Sequence, residues 1–261
     1  MGESWRTFDS VAASYDVVRP VYPDAVFDLV EDFVGVEQPR VLEVGLGSGQ
    51  ATQQMAARGW DVVGVEPGSD LIALASERLG SLQNVSLIEV KFEEAAFPVG
   101  GFDVVAAATA WHWIDPAVGY RRAALALRTP GILALWWNAH VTAAGIEAWR
   151  PIRDVYERVA PELADLARLT PDRPDYDPAA EVAASGLFDS VHVESFGFSV
   201  PYTAEEFVVL THTYASHRDL TSSTRDSLDD ALVDTIHGEL GGTMHKPYEA
   251  YLVMARRLDA T

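Results

Sequence analysis

A carboxylate at the end of an apolar strand, followed at once by alternating glycines, is the part of this sequence best suited to chemistry. In VLEVGLGSGQAT, residues 41–52, Glu43 ends the strand, and Gly45, Gly47 and Gly49 allow a tight turn whose backbone approaches a ligand closely. A strand-end carboxylate has no use beside a pyrophosphate, whereas it pairs with a positively charged amino group. The ligand implied is a nucleoside carrying an amino-acid tail. A dinucleotide fingerprint needs Gly-x-Gly-x-x-Gly, and here its third glycine would fall on Gln50 or Thr52.

Further candidates follow. Glu66 ends a second apolar strand just before Pro67 and Gly68. His112 lies in Thr109-Ala-Trp-His-Trp113, and an imidazole titrating near working pH suits a base or an orienting contact to an acceptor oxygen. A structural histidine carries the same signature. Trp111 and Trp113 alternate, so in an extended segment they face opposite sides, and core packing is the ordinary use of at least one. Trp137, Asn138 and His140 sit at the mouth of another strand. His212 and Tyr214, in THTYASHRDL at 211–220, are candidate pocket walls. His212 and His217 are not at the i, i+4 spacing of a helical metal pair and no His-Glu-x-x-His occurs, so no metal is expected. Ser48 lacks the Gly-x-Ser-x-Gly context of a hydrolase nucleophile. No phosphate-binding Gly-x4-Gly-Lys-Ser/Thr occurs.

Composition removes other chemistries. With no cysteine, the chain has no disulfide, thiolate metal site, cluster or cysteine nucleophile. The formal net charge of −20, from 19 basic and 39 acidic residues, repels phosphate backbones and argues against nucleic acid. No apolar run approaches a membrane span, and the opening residues lack a secretory stretch, so cytoplasmic residence is the default expectation. The partner expected is a small molecule.

The elements that position these residues alternate. Helices are expected at about 24–34, 50–58, 70–79 and 116–127, and strands at 41–44, 60–66, 84–90, 102–108 and 132–137, with short links. That alternation implies a parallel sheet with helices on both faces and a ligand beyond the strands' carboxyl ends. Helices follow at 146–159, 162–169, 204–213 and 222–240, with strands at 190–200 and 245–256. The expected organisation is one domain over 1–261: a core of about 24–140, 186–200 and 243–261, and helical cap segments at about 141–185 and 201–242.

At this point the chain resembles the class I S-adenosylmethionine-dependent methyltransferases of the small-molecule type, over about residues 8–138. VLEVGLGSGQAT resembles the first motif of that family, VVGVEP the next, and FDVVAAATAWHWID its fourth-strand motif. The resemblance implies a Rossmann-like, doubly wound, seven-stranded, mostly parallel sheet with an antiparallel last strand and a helical cap. It implies S-adenosyl-L-methionine as cofactor. Glu43 and the three glycines would cradle the methionine part, and Glu66 would accept both ribose hydroxyls. Tyr15 and Arg19, in FDSVAASYDVVRPVYP, would close over the cofactor. Pro67, Thr109 and Trp111 would border it. Many relatives place an acid where Lys91 stands, so Phe92 and Glu93 would serve the adenine instead. His112 falls where the family holds its acceptor, with Trp113 beside it. The expected reaction is methyl transfer to an oxygen, carboxylate or hydroxyl, of a small organic acceptor. Nitrogen and carbon acceptors share the displacement geometry. A protein of this fold that binds the cofactor without methyl transfer carries the same signature.

Overall fold

The computed structural model describes residue 18 and residues 20–140, 149–164 and 177–258. Seven strands form one sheet in the order β3-β2-β1-β4-β5-β7-β6. They are β1 Arg40–Val44, β2 Asp61–Glu66, β3 Val85–Glu89, β4 Phe102–Ala108, β5 Leu127–His140, β6 Phe188–Thr203 and β7 Thr243–Arg257. Strands β1 to β5 pair in parallel, and β7 is antiparallel to both β5 and β6. The order reverses between β1 and β4, so the carboxyl ends of β1, β2, β4 and β5 meet beside the switch point, where ligands of such sheets bind.

The alternation of side chains on β5 shows how both faces are covered. Ile132, Ala134 and Trp136 join a core with α1 (Asp24–Val34) and α2 (Gln50–Ala57). Leu133, Leu135 and Trp137 join the opposite core with α4 (Pro116–Ala126) and α6 (Pro178–Ala184). The helix α3, Ser69–Leu79, packs Ala75 and Leu79 against Leu46. A third cluster joins α5 (Arg150–Val159), α7 (Ala204–His212) and α9 (Ser222–Glu239) to the ends of β6 and β7. The short helix α8, Ala215–Arg218, links α7 to α9.

Several boundaries differ from the sequence expectation: β5 begins at Leu127 and ends at His140 rather than spanning 132–137, Pro161–Leu163 is a 3-10 turn where a helix over 162–169 is expected, and two further differences concern the cap and β6. The segment 178–184, expected in the cap, lies on the sheet: Val182 is buried in the core of Tyr120 and Phe188, and Tyr120 Oη donates to Glu181 Oε2 at 3.1 Å. Strand β6 runs on to Thr203, because its pairing with β7 continues unbroken from His192 through the capping box of α7. No helix among the described residues is long and apolar enough to cross a membrane.

Candidate functional site

The glycine turn after β1 is built around two acids. Glu43 is fully buried, and its Oε2 accepts a hydrogen bond from Thr52 Oγ1 at 2.5 Å. Its Oε1 is buried and has no hydrogen-bond partner among the described residues. Burial pushes this carboxyl up to about 8; the Thr52 bond opposes that shift, and the nearby charge of Glu66 adds to it. A carboxyl in that condition is completed by a cation. An ammonium group brought to Oε1 would supply the missing partner and hold the acid ionised.

Glu66, at the end of β2, holds the turn itself. Its Oε2 accepts from Gly47 N at 3.1 Å and its Oε1 from Gly68 N at 3.0 Å. Gly45, Gly47 and Gly49 all have positive φ, at 67°, 58° and 84°. A Cβ on Gly47 would meet nothing within 4 Å, whereas one on Gly45 would stand 2.6 Å from Ala110 Cβ. The turn is thus braced against the end of β4 at Gly45 and open at Gly47. Two acids beside an open backbone turn fit a cationic nucleoside with a diol, which makes the residues present suited to S-adenosylmethionine.

A strap crosses the strand ends. Gln54 of α2 exchanges hydrogen bonds with the backbone of Tyr22, at 3.1 and 2.6 Å. Tyr22 Oη and Thr109 Oγ1 lie 2.9 Å apart, and Asn138 Nδ2 donates to Pro20 O at 3.0 Å. Thr109 sits at φ 55°, a left-handed conformation that costs a β-branched residue energy. Its backbone N–H donates to Trp136 O at 2.7 Å, which helps hold it there.

His112 lies in a short 3-10 turn, Trp111–Trp113, and not in the extended segment expected. The turn sends Trp111 into the core against Phe92 and Tyr120 and leaves Trp113 47% exposed, with its ring 4.7 Å from the imidazole. Trp137 Nε1 donates a long hydrogen bond, 3.5 Å, to His112 Nδ1. Partial burial lowers the pKa of His112 below the usual histidine range.

The other expected residues divide. Phe92 is 2% exposed and stacks on Phe97 with Arg122 over its face, so it is placed in the core rather than at an open ligand surface. Pro67 and Glu93 are half-buried at the ends of β2 and β3. Asn138 has its amide nitrogen committed to the strap, while its Oδ1 is buried without a partner among the described residues. His212 is bound within the helical layer, Nε2 to Asp229 Oδ2 at 2.8 Å, and is not drawn to the strand ends. Tyr214 packs beside the buried His217, which is itself 2.8 Å from Tyr156 Oη. Tyr15, Arg19 and the side chain of His140 lie outside the described residues. Sequence reasoning missed Thr52 and Tyr22 as polar supports. The signal for Thr52 was present: a threonine among the buried Ala51 and Met55 in the first turns of α2.

Comparison with known proteins points the same way. A family profile described as a methyltransferase domain matches residues 42–135. An uncharacterized methyltransferase of Mycobacterium bovis is 35% identical over 132 residues, 51% of this chain and 52% of that protein. The chain spans about half the length of curated relatives that it matches. A candidate type II methyltransferase from Anaeromyxobacter dehalogenans superposes with a TM-score of 0.70 at 20% identity, covering 93% of this chain and 99% of that one. Phosphoethanolamine N-methyltransferase 2 of Haemonchus contortus, in complex with S-adenosyl-L-methionine, gives 0.58 at 16% identity over 99% of this chain and 61% of that one. These likenesses in structure are likenesses of fold.

Proposed function

We propose that this chain is a class I S-adenosylmethionine-dependent methyltransferase, a reading supported by its sheet order and by the methyltransferase domain match over residues 42–135, and that it moves a methyl group from S-adenosylmethionine to an oxygen of a small organic acceptor. The observation that carries the cofactor assignment is Glu43, a buried acid with one oxygen satisfied by Thr52 and the other lacking a partner among the described residues. Glu43 pairs with the amino group of the methionine tail. Glu66 fixes the glycine turn and offers its remaining lone pairs to the ribose diol. Gly45, Gly47 and Gly49 bring backbone against the tail; Tyr15 and Arg19, outside the described residues, would cover it as the resemblance implies. Pro67, Thr109 and Glu93 border the rest. The cofactor, when bound, supplies an electrophilic methyl group on a sulfonium. The net charge of −20 supports a small acceptor over nucleic acid.

His112 supports an oxygen acceptor. Trp137 donates to Nδ1, so the neutral ring carries its proton on Nε2. The lowered pKa favours that neutral form. An Nε2–H is a donor, which orients an oxygen lone pair and takes no proton. A carboxylate acceptor needs none removed, because the leaving thioether is neutral. His112 is therefore assigned to orientation, with Trp113 and Trp137 as neighbouring walls of the acceptor site. The pH profile separates the roles. An orienting Nε2–H is present in both protonation states, so kcat should stay level as pH falls through the imidazole pKa. A base would lose activity there. His112→Ala should lower kcat about ten- to a hundredfold, in keeping with one lost oriented hydrogen bond, and leave S-adenosylhomocysteine binding intact.

The cofactor assignment has its own test. Saturating S-adenosylhomocysteine, at about 100 times Kd, should raise the melting temperature by roughly 5–10 °C. Glu66→Ala removes the acceptor of both turn amides and should weaken binding at least about tenfold. An unchanged affinity in that variant would refute the role given to Glu66.

A further inference from the structure

Tyr22 reaches both sides of the glycine turn. Its backbone holds the helix that leaves the turn: Tyr22 N donates to Gln54 Oε1 at 3.1 Å, and Gln54 Nε2 donates to Tyr22 O at 2.6 Å. Gln54 lies on α2, which starts from Gly49 at the end of that turn. The Tyr22 side chain holds the end of β4, with Oη 2.9 Å from Thr109 Oγ1, a hydrogen-bond distance. The residue is 9% exposed, and its ring meets Trp136 edge-on with centroids 6.0 Å apart. Packing fixes the ring and so delivers the hydroxyl to Thr109.

Thr109 is where that contact matters. Its φ of 55° is a conformation that glycine or asparagine takes readily and a β-branched residue resists. Left to local preference, residue 109 would relax toward negative φ and carry Ala110 with it. Two bonds oppose this: the Thr109 N–H donates to Trp136 O at 2.7 Å, and Oγ1 meets the Tyr22 hydroxyl. A glycine at 109 would remove the strain and the hydroxyl together. The next residue, Ala110, has its Cβ 2.6 Å from the place a Cβ on Gly45 would take. The contacts therefore run from Tyr22 through Thr109 and Ala110 to Gly45, the first glycine of the turn. They close through Gln54 onto the helix after its last glycine.

We propose that Tyr22 is a positioning residue for the cofactor: its hydroxyl locks Thr109 in the left-handed conformation, which keeps Ala110 against Gly45 and holds the glycine turn in its binding shape before the ligand arrives. A turn already in shape needs no ordering on binding, so the hydroxyl adds affinity through Thr109 rather than through the ligand. This rests on the reading of the turn as the S-adenosylmethionine site and adds to it the residue that preorganises it.

The experiment uses the full chain. S-adenosylhomocysteine affinity by calorimetric titration and the ligand-free melting temperature are read on the same preparations. Tyr22→Phe keeps the packed ring and deletes the hydroxyl, and should weaken S-adenosylhomocysteine about tenfold. Thr109→Val keeps the shape, deletes the partner oxygen and should weaken it about as much. The double variant should bind no more weakly than the worse single variant, because both changes cut one link. Tyr202→Phe is the control for lost stability alone. Tyr202 Oη donates to Val18 O at 3.0 Å, so this variant also frees a strap carbonyl, but from β6, the strand at the far edge of the sheet. It should melt lower, as Tyr22→Phe does, and bind S-adenosylhomocysteine as the wild type does. Should Thr109→Val fail to fold, the comparison of Tyr22→Phe with Tyr202→Phe decides. Wild-type affinity in Tyr22→Phe, an equal loss of affinity in Tyr202→Phe, or multiplied effects in the double variant would overturn the proposal. A wild type that does not bind S-adenosylhomocysteine would overturn the cofactor reading instead.

Discussion

Replacing Glu43 by Gln is expected to raise the melting temperature of the ligand-free protein at pH 8.5 while removing its response to S-adenosylmethionine. The two effects share one cause. Burial lifts the folded-state pKa of Glu43 from 4.5 to about 8. Between those values the unfolded chain has shed the proton and the folded chain retains it. Stability therefore falls as pH rises through that window, and the full cost is present above pH 8. A tenfold change in proton affinity is worth about 1.4 kcal/mol, so the cost is of the order of a few kcal/mol. A glutamine keeps an oxygen for Thr52 and carries no charge. The gain should be roughly 5–10 °C at pH 8.5 and near zero at pH 4.5, read by calorimetry across pH. Cofactor affinity should drop at least about a hundredfold, because the amino group loses its buried counter-charge. Binding to the wild type at pH 6.5 should release close to one proton, as the incoming ammonium forces Glu43 to ionise. Calorimetric titration in buffers of different ionisation heats measures that number. A value near zero would mean that Glu43 does not meet the amino group.

Alanine at Gly45 and at Gly47 should give opposite kinds of damage. Both positions have similar positive φ, so each substitution costs about 1–2 kcal/mol from conformation alone. At Gly45 the added methyl would stand 2.6 Å from Ala110 Cβ, a rigid neighbour that cannot rotate away. Gly45→Ala must push the end of β4 off the turn. Its melting temperature should fall by well over the roughly 2–8 °C that conformation accounts for, and cofactor binding should go with it. At Gly47 the methyl meets nothing within 4 Å. Gly47→Ala should melt only roughly 2–8 °C lower and still lose the stabilisation by S-adenosylhomocysteine, because the methyl projects into the cradle. Equal melting temperatures for the two variants would show that Ala110 does not brace the turn. A Gly47→Ala protein that still responds fully to S-adenosylhomocysteine would move the cofactor away from that backbone.

The sequence made the proposed cofactor half of the candidate site legible for a physical reason. Glu43, the glycines and Glu66 are placed by strand ends and one tight turn, which are local features with strong residue preferences. The alternation of strands and helices up to residue 137 then brings them together with little tertiary choice. The acceptor half depends on choices that local pattern does not encode. The sequence read Thr109–Trp113 as extended, and a 3-10 turn buried Trp111 and exposed Trp113 instead. His212 has the right chemistry for a pocket wall, but Asp229 of α9 claims it from 17 residues away. Phe92 carries a ring suited to adenine, yet Phe97, Trp111 and Arg122 enclose it.

Strand β7 passes from one hydrophobic neighbourhood to another without a break. Met254, Leu252 and Ala250 lie in the sheet core, and Tyr248 and Met244 lie among the helices of the cap. In evolutionary terms this single strand divides heritable labour along its length. The turn proposed to bind the cofactor is furnished by β1, β2 and β4, and the family match ends at residue 135, before β6 and β7 begin. A descendant lineage is free to rewrite the outer ends of β6 and β7 while inheriting the glycine turn after β1 unchanged.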